Sequence, residues 1–181
     1  MLRVPTLQTE RLVIREFSVD DLPAVRQLLE GDEAELARWL QWTVLSYEQL
    51  DQLKQPPYGD RAIVLRTTGS LIGSCGLVPL IGPYGQIPSL ADAGPAPRTA
   101  VEMGLFWTVL PEHQRRGYAT EAGQALARYA LDVLGLRRIL ATTSYDNAAS
   151  IAVMRKLGMR IERNPLPEPS WLQIVAVLTP S

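Results

Sequence analysis

The sequence contains very few of the residues that build disulfides and zinc sites. It has one cysteine, Cys75, and one histidine, His113, in 181 residues. A single cysteine excludes an intrachain disulfide, and one cysteine with one histidine cannot form a clustered Cys/His zinc site. The sequence therefore predicts no metal centre and a reducing, cytoplasmic setting.

Excess charge of one sign and long apolar runs are missing as well. The chain has 18 Lys and Arg against 19 Asp and Glu, so no basic excess is available to neutralise a nucleic acid or an anionic membrane surface. The first six residues lack a positively charged start followed by an apolar run, and no later run is long enough to span a bilayer. We expect neither a nucleic-acid partner nor a membrane partner.

The length and the order of predicted elements indicate one α/β domain over residues 1–181. Alternating or continuous apolar runs predict strands, and apolar residues at helical spacing predict helices. The predicted strands cover 11–17, 61–66, 71–78, 99–110, 138–143 and 171–178, and the predicted helices cover 22–29, 32–55 as one or two helices, 117–134 and 148–157. Residues 79–97, rich in Gly and Pro, are expected to form a long loop. The order after residue 99 predicts a mixed sheet with crossovers.

A predicted strand-to-helix junction at residues 114–119 is the most informative segment. The first backbone N–H groups of such a helix have no intrahelical acceptor and lie at the positive end of its dipole, so they can hold a pyrophosphate. Gly117 allows the backbone to approach the anion, and Arg115 and Arg116 add positive charge. A plain turn that contains a glycine is the alternative, because short glycine motifs match by chance.

Three segments resemble the GNAT superfamily of N-acyltransferases. The pattern Gln114-x-x-Gly117-x-Ala119 after a hydrophobic strand is similar to the acyl-CoA pyrophosphate motif of that family. Residues 9–15 and 147–159 resemble its RimJ/RimL-like branch, the ribosomal-protein N-acetyltransferases. The three motifs stand in the family's order and cover most of the chain. The resemblance implies a mixed α/β GNAT fold, with a twisted sheet of about seven strands flanked by helices.

The resemblance also implies acetyl-CoA as the acyl donor. In the family the pantetheine arm lies between two splayed strands, here 99–110 and 138–143, and a backbone N–H near Val109 would polarise the thioester carbonyl. Asn147 matches the asparagine that hydrogen-bonds the arm, although an N-cap before the following helix is a compatible role. The implied cofactor-binding residues are Trp107, Thr108, Val109, Gln114, Arg115, Arg116, Gly117, Tyr118, Ala119, Thr120 and Asn147.

Two side chains are candidates for proton transfer. Glu102 lies on the strand before the turn, where related enzymes often place a carboxylate that deprotonates the amine; a solvated residue on the strand's polar face is the alternative. The tyrosine that acts as general acid in many GNAT enzymes is replaced here by Met154. In the RimL-like branch a serine has that role, and Ser150 matches it. The alternatives for Ser150 are a hydrogen bond to the sulfur, a proton relay, or a serine that only occupies the first turn of a helix.

The implied function is transfer of an acetyl group from acetyl-CoA to a primary amine by direct attack. A protein or peptide N-terminus is our hypothesis for the acceptor, because the motifs at 9–15 and 147–159 resemble the RimJ/RimL branch. That branch also contains enzymes for small amines, so a polyamine or an antibiotic is an alternative. Met154 leaves a non-catalytic acyl-CoA-binding module open. The oligomeric state is open too, with a homodimer as one alternative.

Three further residues have side chains that suit a role in a site. His113 precedes the predicted cradle, but in a Pro-Glu-His turn it is expected to be a solvated surface residue. Cys75 lies on a predicted inner strand and is expected to be a small buried apolar residue rather than a nucleophile. Tyr84 in the 79–97 segment is a candidate for an acceptor contact or an interface.

Overall fold

Eight strands and four α-helices make up the regular structure of the computed structural model, which describes residues 5–56, 58–91 and 99–180. The strands are β1 Leu7–Gln8, β2 Leu12–Arg15, β3 Gly59–Leu65, β4 Leu71–Gly82, β5 Ala100–Val109, β6 Ile139–Thr143, β7 Arg160–Arg163 and β8 Ile174–Leu178. The helices are α1 Leu22–Leu28, α2 Glu33–Gln52, α3 Tyr118–Arg128 and α4 Ala148–Lys156. None of the helices in the described residues is both long enough and apolar enough to cross a membrane.

The strands are hydrogen-bonded in the order β1-β2-β3-β4-β5-β6-β8-β7. The pairs β1–β2, β2–β3, β3–β4, β6–β8 and β7–β8 are antiparallel, whereas β5 pairs in parallel with β6 through Gly104 and Leu140. A parallel pair needs a crossover, and α3 lies between these two strands in the chain. The predicted mixed α/β sheet is confirmed. The resemblance implied about seven strands, and the sheet has eight; β1 and β7 are the two that the six strands predicted from the residues do not include.

The described residues form two compact units, while the expectation of one domain over residues 1–181 stays a prediction. The first unit comprises residues up to 78 together with 106–126. One apolar core cluster in it contains Phe17, Val25, Leu36, Leu40, Ala62 and Val64. The side chains of α1 and α2 thus pack with those of β3, which explains the apolar spacing of both helices.

The helix α2 decides a question that the sequence left open. Its N-terminus is fixed by a capping box, in which Asp32 accepts from the Glu35 backbone N–H at 2.9 Å and Glu35 accepts from the Asp32 N–H at 3.1 Å. The helix then continues without a break to Gln52. Residues 32–55 therefore contain one long helix and not two.

The second unit comprises residues 79–105 and those from 127 onward. Its core contains Tyr84, Ile87, Leu140, Leu172, Val175 and Val177. The expected loop at 79–97 is partly wrong: β4 continues to Gly82, and a 3-10 turn follows at Tyr84–Gln86. The part of that segment at 92–98 lies outside the described residues. The helix predicted over 117–134 is α3 followed by a π-helical turn at Tyr129–Val133.

Candidate active site

The turn between β5 and α3 contains two residues with left-handed backbone conformation. Gln114 is extended, and then Arg115 with φ 59° and Gly117 with φ 85° stand on either side of Arg116. A left-handed conformation is unfavourable for a residue with a Cβ, so the backbone of Arg115 is strained. Strained backbone of this kind is concentrated at ligand-binding sites. Left-handed residues alternating with others turn successive N–H groups toward one concavity, which is a known geometry for binding anions.

The start of α3 adds further donors to this turn. The first intrahelical bond runs from the Glu121 N–H to the Gly117 carbonyl at 3.0 Å. The backbone N–H groups before Glu121, those of Tyr118, Ala119 and Thr120, therefore have no acceptor within the helix. They lie at the positive end of the helix dipole. The side chains of Arg115 and Arg116 are exposed. The turn thus combines oriented N–H groups with two accessible guanidinium groups, which suits a pyrophosphate.

Gln114 ties the turn to the end of the preceding strand. Its Nε2 donates to the Val109 carbonyl at 2.9 Å. Val109 is buried, while Trp107 and Thr108 are partly exposed on β5. The glutamine of the motif therefore has a structural role in the first unit, and it holds the strand end and the turn in one arrangement.

Hydrogen bonds from the N-terminal motif at 9–15, which the sequence did not predict, hold the same turn. Arg11 donates from Nε to Glu121 Oε2 at 2.6 Å, from its backbone N to Oε1 at 2.9 Å, and from Nη1 to the Arg116 carbonyl at 3.0 Å. Thr9 Oγ1 also donates to Glu121 Oε1, at 2.6 Å. The guanidinium carbon of Arg11 lies 4.6 Å from the centre of the Tyr118 ring. The motif at 9–15 signalled a family likeness, but nothing in its pattern indicated these partners.

Glu102 is paired with Arg138 in the second unit. Arg138 Nε donates to Glu102 Oε2 at 2.9 Å, and Arg138 Nη2 donates to Glu102 Oε1. The Glu102 side chain is 9% exposed, so this carboxylate is not the solvated surface group of the alternative reading. Both carboxylate oxygens of Glu102 therefore accept from the same guanidinium group.

Asn147 and Ser150 meet at the start of α4. Asn147 Oδ1 accepts from the Ser150 backbone N–H at 3.0 Å, which is an N-cap bond. This bond fixes the orientation of the amide, so Nδ2 is the atom left to donate to a ligand. The Ser150 side chain is partly exposed, whereas Met154 is fully buried. The residue at the usual tyrosine position is therefore a core residue here.

The three other candidates, Cys75, His113 and Tyr84, are wholly or partly buried. Cys75 is fully buried, as expected, and burial raises the pKa of its thiol to about 12. His113 is only partly exposed, and its Nδ1 is buried without a hydrogen-bond partner among the described residues. Tyr84 is 1% exposed, so the expectation of an acceptor contact or an interface is wrong. Its ring instead lies edge-on to Trp171, 6.2 Å between ring centres, in the core of the second unit.

Comparison with known proteins places this geometry in a family. The model of the GNAT acetyltransferase domain matches residues 11–160. The uncharacterized N-acetyltransferase YnaD of Bacillus subtilis is 30% identical over 160 residues, which are 86% of this chain and 83% of YnaD.

Solved structures show the same fold. An acetyltransferase from Agrobacterium tumefaciens is 26% identical and covers 98% of this chain and 95% of its own, with a TM-score of 0.68. The ribosomal L7/L12 α-N-protein acetyltransferase RimL, in complex with coenzyme A, is 16% identical, covers 97% of both chains and gives a TM-score of 0.64. At that identity the RimL likeness concerns the fold alone. Because the family model matches most of its length and YnaD is similar across most of both chains, this chain belongs to the GNAT family and is an acyl-CoA-dependent acetyltransferase.

Proposed function

We propose that this protein transfers an acetyl group from acetyl-CoA to the primary amine of a protein or peptide N-terminus by direct attack. The observation that supports acyl-CoA most directly is the turn at 114–120, where left-handed Arg115 and Gly117 precede the free N–H groups of α3. Such a turn has a positive electrostatic potential, because its N–H groups and the helix start face the same site. A pyrophosphate has the charge and the acceptor oxygens that these donors require.

The proposed roles of the chain's residues follow from their donor and acceptor atoms. The backbone N–H groups of the turn, with Arg115 and Arg116, bind the pyrophosphate, and Asn147 Nδ2 donates to the pantetheine arm. Bound acetyl-CoA supplies an acetyl group activated as a thioester. Trp107, Thr108 and Val109 on β5 are proposed to line the arm, as the family resemblance implies.

Two proton movements complete the reaction. The amine nitrogen forms a bond to the acetyl carbon while the carbon–sulfur bond breaks, so the amine loses a proton and the sulfur gains one. Glu102 is the proposed acceptor of the amine proton, directly or through water. Ser150, which is partly exposed next to the Asn147 cap, is proposed to relay a proton from solvent to the leaving sulfur.

The proposed acceptor rests on the motifs at 9–15 and 147–159, which resemble those of N-terminal acetyltransferases. Acetyl-CoA turnover is measured with short peptides that have free N-termini, with the same peptides blocked at the N-terminus, and with a polyamine. We expect turnover only with free N-termini. Turnover with the blocked peptides or the polyamine alone would assign the protein to another amine class.

Calorimetric titration with acetyl-CoA tests the donor. We expect a dissociation constant in the micromolar range, about −8 kcal/mol. In Gly117→Glu, a carboxylate beside the phosphates should abolish binding, whereas the matched Gly117→Gln variant has equal bulk and backbone strain without the charge. Binding that is lost in the Glu variant and retained, although weakened, in the Gln variant supports an anion site. No binding by a folded wild type would overturn the proposed donor.

The role of Glu102 is tested against that of its partner. If Glu102 accepts the amine proton, Glu102→Gln should lower kcat by about a hundredfold, the usual scale for a general base, and should change the pH profile. In the comparison variant Arg138→Gln the carboxylate remains, so the pH-dependent step should persist. If Glu102 serves only to bind Arg138, both variants will be less stable and kcat will stay near the wild-type value.

A further inference from the structure

Arg11 contacts the phosphate-binding turn from one side. Its Nη1 donates to the Arg116 carbonyl, and the peptide between Arg116 and Gly117 is trans. In a trans peptide the C=O and the N–H point in opposite directions. The N–H of Gly117 therefore points away from the Arg11 guanidinium. Arg11 therefore contacts the turn on the side opposite to that N–H.

This placement strengthens the donor on the other side. A cationic donor on a peptide carbonyl polarises the whole peptide group and makes its N–H a better donor. Through the peptide between Arg116 and Gly117, the Arg11 guanidinium therefore makes the Gly117 N–H a stronger donor for an anion. Its Nη2 lies 3.3 Å from where a Cβ on Gly117 would be, so the guanidinium and the glycine are in close contact.

Arg11 also compensates an unfavourable charge. Glu121 is in the first turn of α3, and its side chain is 17% exposed. A carboxylate at this position repels an anion that binds at the helix start. The salt bridge from Arg11 Nε to Oε2 at 2.6 Å neutralises that charge, and Oε1 accepts from the Arg11 backbone N–H and from Thr9 Oγ1.

We propose that Arg11 is a positioning residue of the acyl-donor site, which orients the Arg116–Gly117 peptide and neutralises Glu121 so that the turn can accept the pyrophosphate. This inference rests on the proposed use of acetyl-CoA. It assigns a role in donor binding to the motif at 9–15, which the chain places far from residues 114–120 in sequence.

The same motif at 9–15 supplies a matched control residue. Arg15 forms a bidentate pair with Asp21 at 2.7 and 2.8 Å, and its Nη1 also donates to a backbone carbonyl, that of Glu16, at 2.9 Å. The side-chain exposures are similar, 32% and 12% for Arg15 and Asp21 against 43% and 17% for Arg11 and Glu121. Arg15→Ala thus removes a comparable set of bonds that does not contact the turn.

Two acyl donors separate a positioning role from a structural one. Acetyl-CoA carries the pyrophosphate, whereas acetyl-pantetheine is the same thioester without it. In Arg11→Ala we expect the KM for acetyl-CoA to rise about 10- to 100-fold, the scale for loss of a hydrogen bond to a charged group. The KM for acetyl-pantetheine and the kcat with either donor should stay near the wild-type values. In Arg15→Ala, any change in KM should be the same for acetyl-CoA and for acetyl-pantetheine.

A double variant isolates the charge of Glu121. If that carboxylate repels the donor once Arg11 is gone, Arg11→Ala/Glu121→Gln should recover part of the acetyl-CoA affinity that Arg11→Ala loses. Arg11→Lys should recover only part as well, because an ammonium cannot reproduce the fork that reaches both Glu121 and the Arg116 carbonyl.

The possible failures are distinguishable. If wild-type protein does not bind acetyl-CoA, the proposed function fails. If wild type binds it and Arg11→Ala binds it equally well, only the role of Arg11 is overturned. An equal loss with acetyl-CoA and acetyl-pantetheine would also overturn it, since that pattern indicates general destabilisation.

Discussion

Replacing Gly117 by alanine should strain the turn. The strain energy should lower the free energy of unfolding, the affinity for acetyl-CoA, or both. Gly117 has φ 85°, a conformation that costs a residue with a Cβ about 1–2 kcal/mol. The new methyl group would also meet Arg11 Nη2 at 3.3 Å, but that atom ends a flexible side chain and can shift. The main cost is therefore backbone strain.

The two limits of this division can be calculated. If the turn keeps its shape, the free energy of unfolding falls by about 1–2 kcal/mol, or roughly 2–8 °C in Tm for a chain of this size, and acetyl-CoA affinity is retained. If the turn relaxes, stability is retained and binding must restore the strained shape, which weakens affinity by about 5- to 30-fold. Intermediate cases should lose the same total free energy.

Thermal unfolding and calorimetric titration measure the two parts. Gly158→Ala is the matched control, because Gly158 has φ 74° at the end of α4 and an added Cβ would have nothing within 4 Å. Gly158→Ala should lower the Tm and leave the affinity for acetyl-CoA unchanged. Gly117→Ala with unchanged Tm and unchanged affinity would refute the reasoning, as would a change of affinity in Gly158→Ala.

Three further predictions concern other parts of the molecule. Met154 is fully buried, so Met154→Ala should lower the free energy of unfolding in urea by about 2–5 kcal/mol, whereas Met154→Leu should cost less than about 1.5 kcal/mol; equal losses would contradict the burial. The buried thiol of Cys75, with its pKa raised to about 12, should resist a thiol reagent at pH 8 until the protein is unfolded, and rapid labelling of native protein would contradict this. Burial raises the pKa of Glu121, but hydrogen bonds from Thr9 and Arg11 outweigh it and lower that pKa from 4.5. The stability that Glu121 contributes is then complete above about pH 4.5 and is lost as the pH falls through the lower folded pKa, so the stability difference between wild type and Glu121→Gln should shrink on acidification from pH 5.

Local patterns in the sequence determined most elements of the fold. Apolar spacing marked α3 and α4, and the long apolar run marked β5, because periodicity is a property of neighbouring residues. The two-residue strand β1 and the extension of β4 to Gly82 were missed. A strand of two residues such as β1 is defined by its pairing with β2, which no local pattern reports.

The candidate site shows the same division. The glycine and the arginines of the turn predicted a donor site from sequence, and the φ above zero at Gly117 fits a glycine because that requirement is local. Side-chain partners were decided by tertiary structure alone. Arg11 and Glu121 are 110 residues apart in the chain, and Glu102 is 36 residues from Arg138.

The sequence by itself therefore determined which family motifs the chain carries, in what order, and where an anion can meet a helix start. Only the tertiary structure decided that Met154 belongs to the core, that Glu102 is bound to Arg138, and that the motif at 9–15 holds the turn at 114–120. The physical reason is that helix starts and left-handed turns are set by adjacent residues, whereas burial and charge pairing depend on which distant segments the fold brings together.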